Sequence, residues 1–204
     1  MRQSIQHVFV GTYSRPILFG TGETLEGKGI GIYSYGFDSI TGNLKENASA
    51  VPTANPSFLT VSRDRKYLYA VNELKEYEGK KGGALSAYRI SEGGELSLLN
   101  QKPTNGTDPC HVTVDANSRC VMAANFMSGS ICCYPLREDG SLGETMQFFQ
   151  HQGHGKDPVR QAGPHAHSVV LTRDECYAVV PDLGMDCLMI YPTDFSNGGL
   201  RLED

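Results

Sequence analysis

Apolar residues along this chain fall into short runs, each closed by glycine, asparagine, aspartate or proline, and no stretch holds a helical period over three turns. Three segments can be laid over one another: NPSFLTVSRDRKYLYAVNE from Asn55, DPCHVTVDANSRCVMAANF from Asp108, and GPHAHSVVLTRDECYAVVPDLG from Gly163. Matching Pro56, Pro109 and Pro164 sets the offsets at 53 and 55 residues. Each segment predicts a strand, a polar turn (SRDRK, DANSR, TRDEC) and a second strand (YLYAVN, CVMAAN, YAVVPD). A third strand follows in each (GALSAYRI, GSICCYPL, CLMIYPTD), then a turn such as SEGGE or REDGS, and a fourth strand.

The N-terminal part enters this register late. HVFVGTYS matches a second strand, with Thr12 where the others carry Asn72, Asn125 and Asp182; GIGIYSYGF matches a third and GNLKENASAV a fourth. Repeats of about 50 residues, each of four antiparallel strands, predict an all-β chain folded as a β-propeller. A sandwich or barrel is the plainer alternative. The expected organisation over residues 1–204 is one partial propeller: a first unit, 7–51, lacking its first strand, then units at 55–102, 108–150 and 163–204. The loops SRPILFGTGETLEGK and LKEYEGKKGG, each between a second and a third strand, are long for such connections and read either as functional or as mobile surface.

Charge and composition narrow the partners. The net charge is −5 with no clustered basic stripe, which argues against nucleic acid. No apolar run is long enough for a membrane span, and the N-terminus lacks the apolar core of a secretory signal, so a cytoplasmic protein is expected. The six cysteines form no CxxC pair and read as buried, reduced thiols on strands.

The densest chemistry lies in RQAGPHAHS, residues 160–168. His165 and His167 are two apart, so in an extended strand both point to one face. In a propeller the loop entering strand one and the loop leaving strand two open on the same end. That end then collects His111, His165 and His167 from strand starts, Thr12, Asn72, Glu73, Asn125 and Asp182 from strand ends, and Arg160 with Gln161 from an entering loop. Isolated histidines are more often structural than catalytic; their convergence here is what points to a functional rim. An HxH pair with a third histidine also fits a three-histidine zinc site. No GxSxG nucleophile elbow and no phosphate-cradling glycine loop is present.

The strings VGTYS, GIYSY, NPSFL, LYAVNE, DPCHVTVD, AANFMSGS, RQAGPHAHS and PDLGMD, in this order, resemble the lactonase family of seven-bladed β-propellers across essentially the whole chain. The resemblance implies a hydrolase without cofactor or metal that opens the lactone of a phosphorylated or oxidised sugar, 6-phosphogluconolactone first among them. It implies a site at the channel mouth built from a histidine, a glutamate and arginines. The matching positions here are His111, Glu73, Arg160, His165 and His167. The expected mechanism has His167 or His111 as base, oriented by Asp182 or Glu73. Arg160 grips an anionic group, and Asn72, Asn125 and Gln161 donate hydrogen bonds to the carbonyl oxygen. A muconate-type lactonizing cyclase and a non-catalytic propeller that binds ligands are the rival readings. Seven blades need far more chain than this, so the expectation is a truncated product or half-propeller, with open blade faces that invite self-association.

Overall fold

A computed structural model describes residues 5–19 and 21–201; the expected end of the last unit, at 204, lies outside them. Strand β1 (Ile5–Gly11) is followed by a small hairpin, β2 (Ile17–Leu18) and β3 (Thr24–Leu25), then by β4 (Gly31–Asp38) and β5 (Leu44–Pro52). These give a three-stranded antiparallel sheet in the order β1-β4-β5. The second sheet contains β6 (Leu59–Val61), β7 (Tyr67–Asn72), β10 (Ala84–Ile90) and β11 (Leu96–Pro103), with a hairpin of β8 (Glu76–Tyr77) and β9 (Lys80–Lys81) inserted. The third contains β12 (Pro109–Val114), β13 (Cys120–Asn125), β14 (Ser130–Pro135) and β15 (Gln147–Gln150). The fourth contains β16 (Val170–Leu171), β17 (Tyr177–Asp182), β18 (Cys187–Asp194) and β19 (Gly199–Leu200). Each sheet is ordered as it runs in sequence and packs on the next, the arrangement of propeller blades. Among the described residues there is no α-helix, only one 3-10 turn at Phe195–Asn197.

The burial pattern explains the strands. In the third sheet the second strand lies between neighbours on both faces, so CVMAAN is buried at every position and a continuous apolar run replaces alternation, whereas β17 in the fourth sheet alternates. Outer strands keep one face in water, and QFFQ alternates accordingly. Three apolar layers fill the gaps between successive sheets. Tyr69, Val71, Leu85 and Ala87 of the second sheet meet Val112, Val121, Ala123 and Tyr134 of the third. Met122, Ala124 and Ile131 meet Ala178, Val180 and Tyr191.

The first-to-second strand turns are copies of one another. Arg65, Ser118 and Glu175 all take left-handed backbone, at φ 63°, 54° and 57°, and each donates its N–H to the carbonyl three residues back, on Ser62, Asp115 and Thr172. These turns lie 53 and then 57 residues apart, not 53 and 55. Proline matching therefore misplaces the last unit by two. The bridge Pro109–Asn125 has its counterpart in Ala166–Asp182, so Ala166, and not Pro164, occupies the position of Pro109.

The cysteines also differ from expectation. Cys120 and Cys133 form a disulfide across β13 and β14, with sulfurs 2.07 Å apart. Of the free thiols only Cys132 is buried; Cys110 is half-buried, while Cys176 and Cys187 are exposed. Register places Cys120 and Cys133 on the same face of neighbouring strands, a relation that spacing alone does not reveal. No helix among the described residues is long and apolar enough to cross a membrane.

The layers between sheets carry the stability. Leu85→Ala, at a fully buried position in the second layer, is expected to lower the unfolding free energy by about 2–5 kcal/mol, read as a lower urea midpoint.

Candidate active site

The corrected register makes the rim legible position by position. Asn55, Asp108 and His165 are equivalent, and the carbonyl of each accepts the N–H of the residue that follows its own second strand: Glu73, Phe126 and Leu183. The side chain at this position reaches back to the preceding unit. Asn55 Oδ1 accepts from the N–H groups of Ser14 and Arg15 at 3.0 and 2.8 Å. Asp108 holds the Lys75 ammonium at 2.8 and 3.0 Å. His165 Nδ1 donates to the carbonyl of Phe126 at 3.0 Å. A carbonyl only accepts, so the proton must sit on Nδ1, and in the neutral ring Nε2 keeps its lone pair.

His111 is held in the opposite sense. Its Nδ1 accepts the Val169 N–H at 3.3 Å, which puts the ring proton on Nε2. Its ring lies against Phe58, centroids 4.4 Å apart. Burial, and then the neighbouring His167, hold the His111 pKa below the usual 6.5. Phe126 joins the other two rings: it stacks on His165 at 4.8 Å and meets His167 edge-on at 5.3 Å. His167 is exposed.

Glu73 is nearly buried, 9% exposed, and accepts a hydrogen bond from Tyr13 Oη at 2.9 Å. Burial raises its pKa, although the tyrosine hydrogen bond favours the charged form. Beside it, Cys110 Sγ points at the His167 carbonyl, 3.3 Å away. Burial and the Glu73 charge push that thiol up to about 12, which makes it a poor nucleophile at neutral pH.

Four other candidates serve the scaffold. Asp182, expected to orient the base, is 2% exposed and fully committed. Its Oδ1 accepts from the N–H groups of His165 (2.7 Å) and Met185 (3.0 Å), and its Oδ2 meets His151 Nδ1 at 2.6 Å. The loop can come this close because residue 184 is glycine; a Cβ there would lie 1.8 Å from the Gly163 carbonyl oxygen. Asn72, expected as a carbonyl donor, is fully buried: its amide donates to Thr53 Oγ1 and the Ala54 carbonyl and accepts from Ser86 and Gln101. Asn125 is likewise buried and donates to Ser130 Oγ. Gln161 ties its own loop, accepting from the Asp157 N–H and donating to the Leu183 carbonyl. For Asn72 and Asp182 the reason is that a polar side chain ending an inner strand must satisfy its buried neighbours before it can serve a ligand, whereas the buried Oδ1 of Asn125 has no hydrogen-bond partner among the described residues. Arg160 is exposed, and its backbone N–H is tied to Asp157 Oδ1.

Sequence reasoning passed over Tyr13, Phe58 and His151. Tyr13 was within reach, because it follows Thr12 as Glu73 follows Asn72. His151 follows a fourth strand, at the place that Thr53 and Thr104 hold in the first two sheets, each with its N–H on the carbonyl that precedes the third strand. No group of three or more metal-ligating side chains occurs among the described residues.

Fold and rim define the class: a β-propeller protein with a histidine- and carboxylate-bearing mouth. The chain belongs to the lactonase family of seven-bladed β-propellers, whose model matches residues 7–203. It is 34% identical over 184 residues to a 6-phosphogluconolactonase of Bacillus subtilis, a match covering 90% of this chain and 48% of that protein. Identity to a 6-phosphogluconolactonase of Formosa agariphila is 29% over 161 residues, 78% of this chain and 45% of the relative. The solved periplasmic gluconolactonase of Pseudomonas aeruginosa superposes with a TM-score of 0.82 at 31% identity, covering 97% of this chain and 53% of that one. The chain thus spans about half the length of the relatives it matches.

Removing the Asp182 carboxylate leaves the buried His151 ring and two part-buried N–H groups unpaired. Asp182→Ala is expected to cost about 3–5 kcal/mol in unfolding free energy, measured by denaturant titration.

Proposed function

We propose that this chain carries part of the active site of a lactone hydrolase acting on a phosphorylated sugar lactone, 6-phosphogluconolactone, which it opens to 6-phosphogluconate. The observation that carries the reading is the opposed pair of tautomers on one rim: His165 offers an unprotonated Nε2 and His111 a protonated one. Lactone opening needs both. A base takes a proton from water as its oxygen attacks the ring carbonyl, and a donor stabilises the oxygen that gains charge. His165 is the base, turned by the Phe126 carbonyl. His111 Nε2–H is the donor, and its lowered pKa keeps it neutral and correctly protonated at neutral pH. The tetrahedral intermediate then collapses, the ring C–O bond breaks, and the leaving alkoxide takes back the proton.

His167, exposed at the edge of Phe126, and Glu73, with its raised proton affinity, are the groups that pass to solvent the second proton, the one the newly formed carboxylic acid sheds. Arg160 is exposed and carries the guanidinium that grips a phosphate. The names of the relatives from Bacillus subtilis and Formosa agariphila support the phosphorylated substrate. A charged sugar phosphate does not cross a bilayer unaided, which favours the cytoplasm as the compartment.

Lactone hydrolysis above the spontaneous rate, followed by proton release, tests the reading. His165→Gln is expected to lower kcat by about 10²–10⁴-fold, and Arg160→Ala to raise KM with less effect on kcat. A second proton on His111, gained below pH 6.5, takes the Nδ1 lone pair that accepts the Val169 N–H, so the ring loses its placement and activity should fall on the acid side. A His165→Gln chain with undiminished turnover would remove the base.

A further inference from the structure

The connection from second to third strand is short in the third and fourth sheets, residues 126–129 and 183–186, and long in the first two, residues 12–30 and 73–83. The two long connections border a cleft of about 350 Å³ between the first and second sheets. That size falls within the range of about 300–1,000 Å³ of small-molecule sites. Arg15 enters the lining from the first connection and Glu76, on the β8–β9 hairpin, from the second. Val51 of β5 and Leu98 of β11 supply apolar wall. None of His111, His165 and His167 lines this cleft, so it is separate from the rim.

The buried Asn72 sets which polar atoms the cleft presents. The Ala54 carbonyl can only accept, so the Asn72 amide nitrogen faces it, at 2.6 Å. The second N–H of that nitrogen goes to Thr53 Oγ1 at 3.0 Å. Thr53 is the acceptor there, which leaves its own hydroxyl proton for a partner in the cleft. Asn72 Oδ1 accepts from Ser86 Oγ at 2.6 Å and from Gln101 Nε2 at 2.9 Å. Gln101 Nε2 also donates to Ser86 Oγ at 2.7 Å, so both of its N–H groups are used and Oε1 is the atom Gln101 offers the cleft. Arg15 is rooted beside Thr53. Its N–H is on Asn55 Oδ1 at 2.8 Å, and Ser14 Oγ donates to the Thr53 carbonyl at 2.7 Å. The Arg15 and Glu76 residues themselves are exposed.

We propose that this cleft is a second binding site, for a small polyhydroxylated acid with one negative charge, the chemistry of a sugar acid. The lining combines a hydroxyl donor, an amide acceptor, a carboxylate and a guanidinium over an apolar wall. A hydroxyl both donates and accepts, so the hydroxyls of one small molecule take the Thr53 proton and give their own to Gln101 Oε1 and the Glu76 carboxylate. The C–H groups between them lie on Val51 and Leu98. The planar fork of Arg15 fits the acid's carboxylate. Glu76 limits the ligand to one charge, because a second anionic group in the same cleft would be repelled by its carboxylate.

Titration of the chain with D-gluconate, read from the NMR signals of the Val51 and Leu98 methyl groups, tests the proposal. Those methyls report the cleft directly, whatever gluconate does at the rim. Sorbitol keeps the hydroxyls without the carboxylate, and hexanoate keeps the carboxylate without the hydroxyls. Gluconate is expected to bind about tenfold more tightly than either, or better. Arg15→Ala should weaken gluconate to the level of sorbitol and leave sorbitol unchanged. Leu98→Asp, at a position 57% exposed, should weaken gluconate as well, read at Val51; it carries the test if near-UV circular dichroism shows Arg15→Ala unfolded. His165→Gln should leave the gluconate response of these methyls unchanged, so the result stands apart from the fate of the lactonase reading. Methyl signals that gluconate does not move at millimolar concentration overturn the proposal. So does equal binding of sorbitol or hexanoate, or a gluconate affinity that neither Arg15→Ala nor Leu98→Asp lowers.

Discussion

A carboxylate taken out of water must find every hydrogen bond within the chain, and Asp182 is the place where this requirement shapes the molecule. Its two oxygens are filled by His165 N–H, Met185 N–H and the His151 ring. Meeting these three partners fixes the turn after β17 against the loop that enters β16, and Gly184 makes the approach sterically possible. The His165 backbone is thereby pinned, and its imidazole then finds the Phe126 carbonyl. Asp182 braces the backbone that carries His165, and both of its oxygens are already paired.

The repeat explains why a catalytic-looking histidine arises here. At the position of His165 the other units carry Asn55 and Asp108, and all three side chains tie back to the unit before. An amide, a carboxylate and an imidazole perform the same bracing. Only the imidazole has a second nitrogen left over after bracing, and that nitrogen is what a base needs. A structural position has thus been given a reactive group without altering the backbone around it.

Much of the fold could be read from sequence because it is periodic. Short apolar runs closed by polar turns gave the strands and their grouping, and the buried second strand of the third sheet stood out as an unbroken apolar run. The two-residue slip in the last unit was hidden because Pro164 looks like Pro56 and Pro109; the turn residues Ser62, Asp115 and Thr172 hold the true phase. The site was harder to read. Asn72 and Asp182 have the polarity of ligand-binding groups and sit at the right end of the strands, but burial commits them to the scaffold, while Gln161 ties its own loop. Sequence records the polarity of a side chain and not which of its atoms are already occupied. The same limit applies to His111 and His165: the residue type was evident, while the opposite placement of their ring protons depends on one backbone carbonyl and one backbone N–H.

The ring protons are therefore the most direct test of the account. Nitrogen NMR of labelled imidazoles in the folded chain, above the pH at which these rings gain a second proton, should show His165 protonated at Nδ1 with a bare Nε2, and His111 protonated at Nε2 with a bare Nδ1. Finding the His165 proton on Nε2, or the His111 proton on Nδ1, would contradict the assignment of base and donor and the loop geometry from which it follows.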